Sequence, residues 1–294
     1  MCNAFIKRWY FMVFSAENSK FTLAVKEMGA ELTSLKSKTT GIEYIWCGNT
    51  DIWYGQSPIL FPIIGRLLDD KYSWDGTEYS MEKHGIVRKR PFTLVKKTED
   101  SLIFVINDDD ETWKSYPCNF ELTVEFKLTE NGLKVTHTVS NLTDDVMYFS
   151  FGAHPGFNCE IGDYLEFNKD TSLVTERIDH ESILIDETFP VTMDGNKIEI
   201  TKDLFIDDAL ILSKFNSDSV SIKSKSHNRV VKFDFNSPFL GIWAKPDAPY
   251  VCLEPWWGVN DSYHKVSDIS KKRGIIALDA YKSMDFTWEV SICE

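Results

Sequence analysis

Long apolar runs are missing from this chain of 294 residues. None approaches the roughly 20 consecutive apolar residues that a membrane-spanning helix needs. At the N-terminus, Met1 to Phe14, Lys7 and Arg8 precede the short apolar run Trp9–Phe14. That run is too short for a signal-peptide core, and no small-x-small cleavage site follows it. Positive charge is also short. Lys and Arg number 32 against 45 Asp and Glu, a net charge of -13, which disfavours nucleic acid and anionic membranes and suits a neutral ligand. The six Cys are scattered, with no Cys-x-x-Cys unit, so neither zinc spacing nor a small-protein disulfide framework is present. Reduced thiols in the cytoplasm are the simplest account. His-Glu-x-x-His, a phosphate-cradling glycine loop and a serine nucleophile elbow are all absent. The expectation is therefore a soluble protein that uses no metal and no cofactor.

Sustained helical periodicity is missing too. What replaces it is alternation with a period of two. Phe120, Leu122, Val124 and Phe126 share one face; Asn131-Gly132 turns the chain; Leu133, Val135, His137 and Val139 continue that face on the return. Phe286–Ile292 and Val231–Phe235 alternate in the same way. Turn signals such as Asp75-Gly76, Asp194-Gly195 and Asn236-Ser-Pro238 separate these runs. Short helical turns are expected only near Thr201–Leu204 and Val266–Ser270. No linker or internal repeat divides the chain. The pattern predicts an all-β protein, a large antiparallel β-sandwich or barrel, as a single domain over 1–294.

Four segments carry chemistry: Phe61-Pro-Ile-Ile-Gly-Arg66-Leu67, Lys83-His84-Gly-Ile-Val-Arg88, Ser150-Phe-Gly-Ala-His154-Pro-Gly-Phe157 and Cys252-Leu-Glu254-Pro-Trp-Trp-Gly258. Each sets one polar side chain among glycines, prolines and aromatics. An Arg, two His and a Glu facing one another would make a general acid–base site for a small polar ligand. A sugar fits, with apolar ring faces for Trp and hydroxyls for Arg, His and carboxylates.

These segments resemble those of the aldose 1-epimerase (galactose mutarotase) family, most closely the mutarotases found beside bacterial sugar-utilisation genes. The resemblance runs from about Phe21 to the C-terminus. It implies a large antiparallel sandwich with a ligand groove on the concave face of one sheet, and interconversion of the α and β anomers of a hexose. Ring opening removes the proton of the C1 hydroxyl and delivers one to the ring oxygen. The resemblance makes Glu254 the base, His154 the acid, His84 a catalytic substrate contact, and Arg66 and Asp208 substrate-binding residues. Asp207 adjoins Asp208, and strand alternation would let only one of them face the groove. Trp243 reads equally as a stacking surface or as core. A carboxylate near His154 would keep it protonated around neutrality.

Read without the family, a His beside Gly or a Glu on a strand serves structure as readily as catalysis. His137 fits the core, whereas His180, His227 and His264 fit the surface. Asn141-Leu-Thr143 and Asn260-Asp-Ser262 match the glycosylation pattern by chance. The chain departs from the galactose-specific branch at Gly65, where that branch has Asn, and at Ile86, where it has a second Gly. Substrate identity is thereby left open. Three alternatives stand: a hexose-6-phosphate mutarotase, a non-catalytic carbohydrate-binding protein, and a glycoside hydrolase pairing Asp208 with Glu254. Read as a strand, Arg88 and Arg90 share a face and could clamp a phosphate, but the overall charge favours free hexoses. The expected partner is a small sugar, the protein being a monomer or homodimer.

Overall fold

The structure is a computed structural model, and it describes residues 12–264 and 266–294. Of the apolar run Trp9–Phe14, residues 9–11 lie outside the described residues, and Val13 and Phe14 open the strand Val13–Glu17. Two antiparallel sheets dominate. A nine-stranded sheet runs, in spatial order, through Lys197–Glu199, Tyr164–Phe167, Ser219–Lys223, Val230–Phe235, Ser283–Cys293, Gly132–Asn141, Phe120–Leu128, Ser101–Asn107 and Thr93–Lys97. The hairpin read around Asn131-Gly132 forms its centre, with Val135 opposite Phe126 and Val139 opposite Leu122. An eight-stranded sheet carries Leu184–Pro190, Val174–Ile178, Leu210–Leu212, Phe239–Trp243, Tyr250–Trp257, Phe151–Ala153 and Ile59–Leu60 in order, with Gly156–Asn158 also paired to Tyr250–Trp257. All of their strand pairs are antiparallel. The all-β antiparallel sandwich expected from alternation is what forms.

The inner faces of the two sheets share one core. Phe151 stacks on Phe286 with ring centroids 4.6 Å apart, Trp257 meets Phe286 edge-on at 5.0 Å, and Phe157 meets Phe233 at 5.8 Å. His137 is fully enclosed against Phe151, and burial pushes its pKa down to about 4. Alternation then decides what lies on the outer face of the eight-stranded sheet. Leu240 and Ile242 point into the shared core, so Phe239, Gly241 and Trp243 point away from it. Val251, Leu253 and Trp257 point inward, which sends Glu254 and Trp256 outward. A second, smaller apolar cluster of Leu60, Ile64, Leu184, Ala209, Ile211, Phe239, Trp256 and Val259 covers part of this outer face.

Helix is confined, among the described residues, to Leu68–Asp70, Val87–Lys89, Asp110–Trp113 and Ile269–Lys271. The last overlaps the turn expected at Val266–Ser270, whereas Thr201–Leu204 is turn without helix. The Arg88–Arg90 segment is a 3-10 turn ending at Lys89, not a strand, so the two arginines do not share a face. Arg90 pairs with Asp109 at 2.7 Å, and Lys89 pairs with Glu82. No described helix is long and apolar enough to cross a membrane. Asn141 and Asn260 are both buried, and the Asn141 amide donates to three backbone carbonyls.

Candidate active site

The outer face of the eight-stranded sheet holds a cavity of about 300 Å³ that collects Trp53, Lys83, His84, Arg88, His154, Asp208, Trp243, Lys245, Glu254, Trp256 and Asn260. Three of the four sequence segments converge here. Larger clefts of about 540 and 630 Å³ lie beside it, but they hold neither His154 nor Glu254.

Glu254 lies on the central strand Tyr250–Trp257, directly opposite Gly241. The missing side chain at Gly241 is what the site needs. A Cβ there would come within 2.8 Å of the Trp256 ring, which lies across this position. His154 follows the strand Phe151–Ala153, and its backbone N–H donates to the Pro58 carbonyl at 3.0 Å. Its ring packs on Trp53 at 5.0 Å and meets Trp243 edge-on at 5.7 Å. Trp53 in turn stacks on Tyr250, and Tyr250 on Trp46. This ladder of aromatic rings fixes the imidazole plane.

His154 Nε2 sits 3.2 Å from Glu254 Oε2. The two atoms are in ion-pair range without the alignment of a hydrogen bond, so Oε2 keeps an open lone pair. Glu254 is 1% exposed and His154 9%. Burial raises the Glu254 carboxyl well above its ordinary range, and the Asp208 charge adds to this. The Lys83 charge and the Trp256 indole N–H, close enough to act but outside hydrogen-bond geometry, pull the other way. Burial likewise pushes His154 down to about 3, with Lys83 and Arg88 also opposing its protonation. The expected protonated imidazole is therefore corrected. Desolvation outweighs the neighbouring carboxylate and disfavours the charged form of both partners.

His84 sits where the chain turns sharply, at φ 66°, a left-handed backbone conformation unusual for a side chain of this kind. Gly85 follows at φ 71°, and a Cβ there would run into the Phe61 carbonyl. The His84 N–H donates to the Gly65 carbonyl at 2.7 Å, and the Gly65 N–H donates back to His84 Nδ1 at 3.2 Å. Nδ1 is thus an acceptor, and the ring is neutral with its proton on Nε2. Burial and the neighbouring His154, Lys83 and Arg88 all hold its pKa well below the ordinary value. His84 is a neutral donor beside His154, their rings 6.0 Å apart.

Asp208 lines the cavity from a turn at φ 68°, its Oδ1 accepting the Ala209 N–H at 2.8 Å. Asp207 turns away and pairs with Arg177 at 2.8 Å. Left-handed backbone geometry, not strand alternation, separates the two. Trp243 lines the cavity while also packing on the core.

Arg66 is placed elsewhere. Its guanidinium grips both oxygens of Asp70 at 2.7 and 2.8 Å and Glu181 at 2.8 Å, and it does not line the cavity. The sequence could not show that two carboxylates saturate it. Arg88 is the arginine that reaches the cavity, along with Lys83, Lys245, Trp53 and Asn260. Asn260 packs against Gly65, where no Cβ could fit, and donates to the Ser182 carbonyl at 2.9 Å.

His154, Cys252 and Glu254 bring three ligating atoms within 4.8 Å of one another. Burial raises the Cys252 thiol well above its usual pKa, which opposes the thiolate that a metal would require. The donor set therefore fits a proton-exchanging pair better than a metal centre. Buried polar atoms without a protein partner cluster at the cavity: Arg88 Nε, His154 Nδ1, Glu254 Oε2, Trp256 Nε1 and Asn260 Oδ1. Such atoms call for a polar ligand.

Fold and cavity together define an all-β protein with a buried carboxyl–imidazole pair in a cleft of small-ligand size. The family described as Aldose 1-epimerase matches residues 12–268, and the chain belongs to that family. The protein LacX, plasmid form, of Lactococcus lactis subsp. lactis is 32% identical over 297 residues, covering 94% of this chain and 99% of that one. A galactose mutarotase related enzyme from Lactobacillus acidophilus superposes with a TM-score of 0.91 at 32% identity, covering 96% of this chain and 98% of the other. A galactose mutarotase-like protein from Lactobacillus casei gives 0.91 at 29% identity, covering 96% and 100%.

Proposed function

We propose that this protein is an aldose 1-epimerase that interconverts the α and β anomers of an aldose by opening and closing its ring. The observation that carries the reading is the 3.2 Å contact of His154 Nε2 with Glu254 Oε2 inside a cavity walled by Trp53, Trp243 and Trp256. The C1 hydroxyl and the ring oxygen are both bonded to C1. A base and an acid in mutual contact can therefore reach both at once.

In the opening step Glu254 takes the C1 hydroxyl proton, the C1–oxygen double bond forms, and the bond from C1 to the ring oxygen breaks. His154 delivers its proton to the ring oxygen. Rotation about C1–C2 and the reverse transfers close the ring on the other face. Opening leaves Glu254 protonated and His154 neutral, the distribution that burial favours. Burial favours that distribution before opening as well, so each opening is preceded by transfer of the proton from Glu254 to His154 across their close contact. Each proton-transfer partner of this kind contributes about 10²–10⁴-fold. His84 donates from Nε2 to a sugar oxygen, and Asp208 accepts from hydroxyls.

The test is the rate at which freshly dissolved α-anomers approach equilibrium. Glu254→Gln is expected to lower that rate by about 10²-fold or more while the fold and weak sugar binding persist. Near wild-type turnover in a folded Glu254→Gln variant would remove Glu254 from this role.

A further inference from the structure

Ring opening passes through an aldehyde. C1 becomes a free carbonyl carbon inside a cavity of about 300 Å³, and two lysines, Lys83 and Lys245, line that cavity. Lys245 is exposed, its ammonium 5.8 Å from the centre of the Trp243 ring. Lys83 is partly buried, and its Nζ donates to the Ser182 hydroxyl at 2.8 Å. It makes no ion pair with a carboxylate among the described residues. Lys71, by contrast, is gripped by Glu78 at 2.6 Å, which raises its pKa. Burial moves Lys83 the other way, below the ordinary lysine value; Arg88 and Arg66 add to that, and Asp208 and Glu254 oppose it. The Lys83 charge acts in turn on Glu254, His84 and His154. Nζ therefore stands among the groups that handle C1, held only by a hydroxyl. A lysine whose ammonium is disfavoured by its surroundings is a nucleophile toward carbonyl carbon.

Resting on the mutarotase reading, we propose that Lys83 Nζ is a site of covalent modification by the open-chain substrate, condensing with its C1 aldehyde to form an imine. The neutral amine adds to C1, and the C1–nitrogen bond forms. The carbonyl oxygen then leaves as water with the two amine protons, and a C1–nitrogen double bond takes its place. The step needs neither oxidant nor reductant. His154 and Glu254 already move protons at C1 and can carry these. The cavity walls hold aldehyde and amine together, which turns a meeting of two free molecules into a reaction within one site. Imine formation competes with ring closure. The modified fraction therefore rises with sugar concentration, and a chain carrying the adduct is out of turnover until water reverses the step.

The test incubates the protein with glucose or galactose and cyanoborohydride near neutral pH and maps the adduct by peptide mass spectrometry. Cyanoborohydride delivers hydride to the imine carbon and fixes the sugar as an amine, adding the mass of the sugar less one oxygen atom. Lys83 is expected to be labelled at least about 10-fold faster than Lys245 or the lysines outside the cavity, a small part of what confinement can supply. Lys83→Arg keeps the charge and should carry no adduct at that position. Glu254→Gln should slow labelling of Lys83 by the sugars and leave that of lysines outside the cavity unchanged. Glyceraldehyde, too short to close a ring, tests the amine separately and should prefer Lys83 in both the wild type and Glu254→Gln. Accelerated anomerisation without preferential labelling of Lys83 would overturn the inference and leave the mutarotase reading intact. If neither sugar is accelerated, that reading fails by itself, and glyceraldehyde decides the inference: preference for Lys83 upholds the reactive amine, and even labelling across the lysines overturns it.

Discussion

At the scale of the residue, the roles assigned to His154 and His84 differ in when they act. An acid works in the transition state, whereas a hydrogen bond to a sugar oxygen also works in the ground state. His154→Asn should therefore lower kcat by about 10²-fold or more with little change in KM, and His84→Asn should move both. Equal and small effects from the two would contradict these roles. The acidity of the pair makes a second claim. His154, held near 3, gains an extra proton only as the pH falls through that value, and the pair then has no base. Glu254, raised by burial, loses its proton only well above 4.5, and the pair then has no acid. The acid limb of kcat/KM should thus lie well below 6.5, the ordinary imidazole value, and the alkaline limb should follow Glu254 above 4.5. Activity that falls as the pH drops through 6.5 would show that His154 titrates as a solvated side chain. The family resemblance singled out His154, Glu254, His84 and Asp208, and all four line the cavity; their Gly, Pro and aromatic neighbours alone left structural roles open, and Asp207 stood beside Asp208. Arg66 was expected at the sugar and does not line the cavity, whereas Arg88 does. The ion pair of Arg66 with Asp70 is four residues away, but the one with Glu181 spans 115 residues of chain, and no local pattern announces that contact.

At the scale of the element, the site depends on places where backbones approach too closely for a side chain. Gly85 combines φ 71° with a carbonyl in the position of its absent Cβ, locking the His84 turn against Phe61. Gly85→Ala should cost about 2–4 kcal/mol of stability. Gly76→Ala offers the comparison, since Gly76 has a similar φ of 77° but open space around it. It should lose only about 1–2 kcal/mol. Urea unfolding of both variants checks this, and equal losses would mean that the close approach at Gly85 carries no energy. Alternation predicted the central strands well, because a sheet with one face in the core imposes a period of two on its residues. It failed at Arg88–Arg90, where three residues of 3-10 turn interrupt the extended chain. It also failed to separate Asp207 from Asp208, because a left-handed residue changes direction without any alternation to read.

At the scale of the whole molecule, the two sheets divide the labour. The nine-stranded sheet backs the shared core, and the outer face of the eight-stranded sheet carries the cavity. The architecture was readable from short alternating runs and frequent turns. The pairing order of the strands was not, since strands distant in sequence become neighbours, as Gly132–Asn141 and Ser283–Cys293 do. The acid–base route uses only this chain's side chains, so dialysis against a chelator should leave the anomerisation rate unchanged. A rate lost on chelation and restored by a divalent ion would bring His154, Cys252 and Glu254 into play as ligands instead. The most direct test of the account is the rate at which α-glucose or its 6-phosphate, freshly dissolved, relaxes to its anomeric equilibrium with wild-type protein and with Glu254→Gln side by side. The account predicts strong acceleration by the wild type on at least one of them, lost in the variant. Relaxation at the uncatalysed rate with both proteins, or equal acceleration by both, would contradict it.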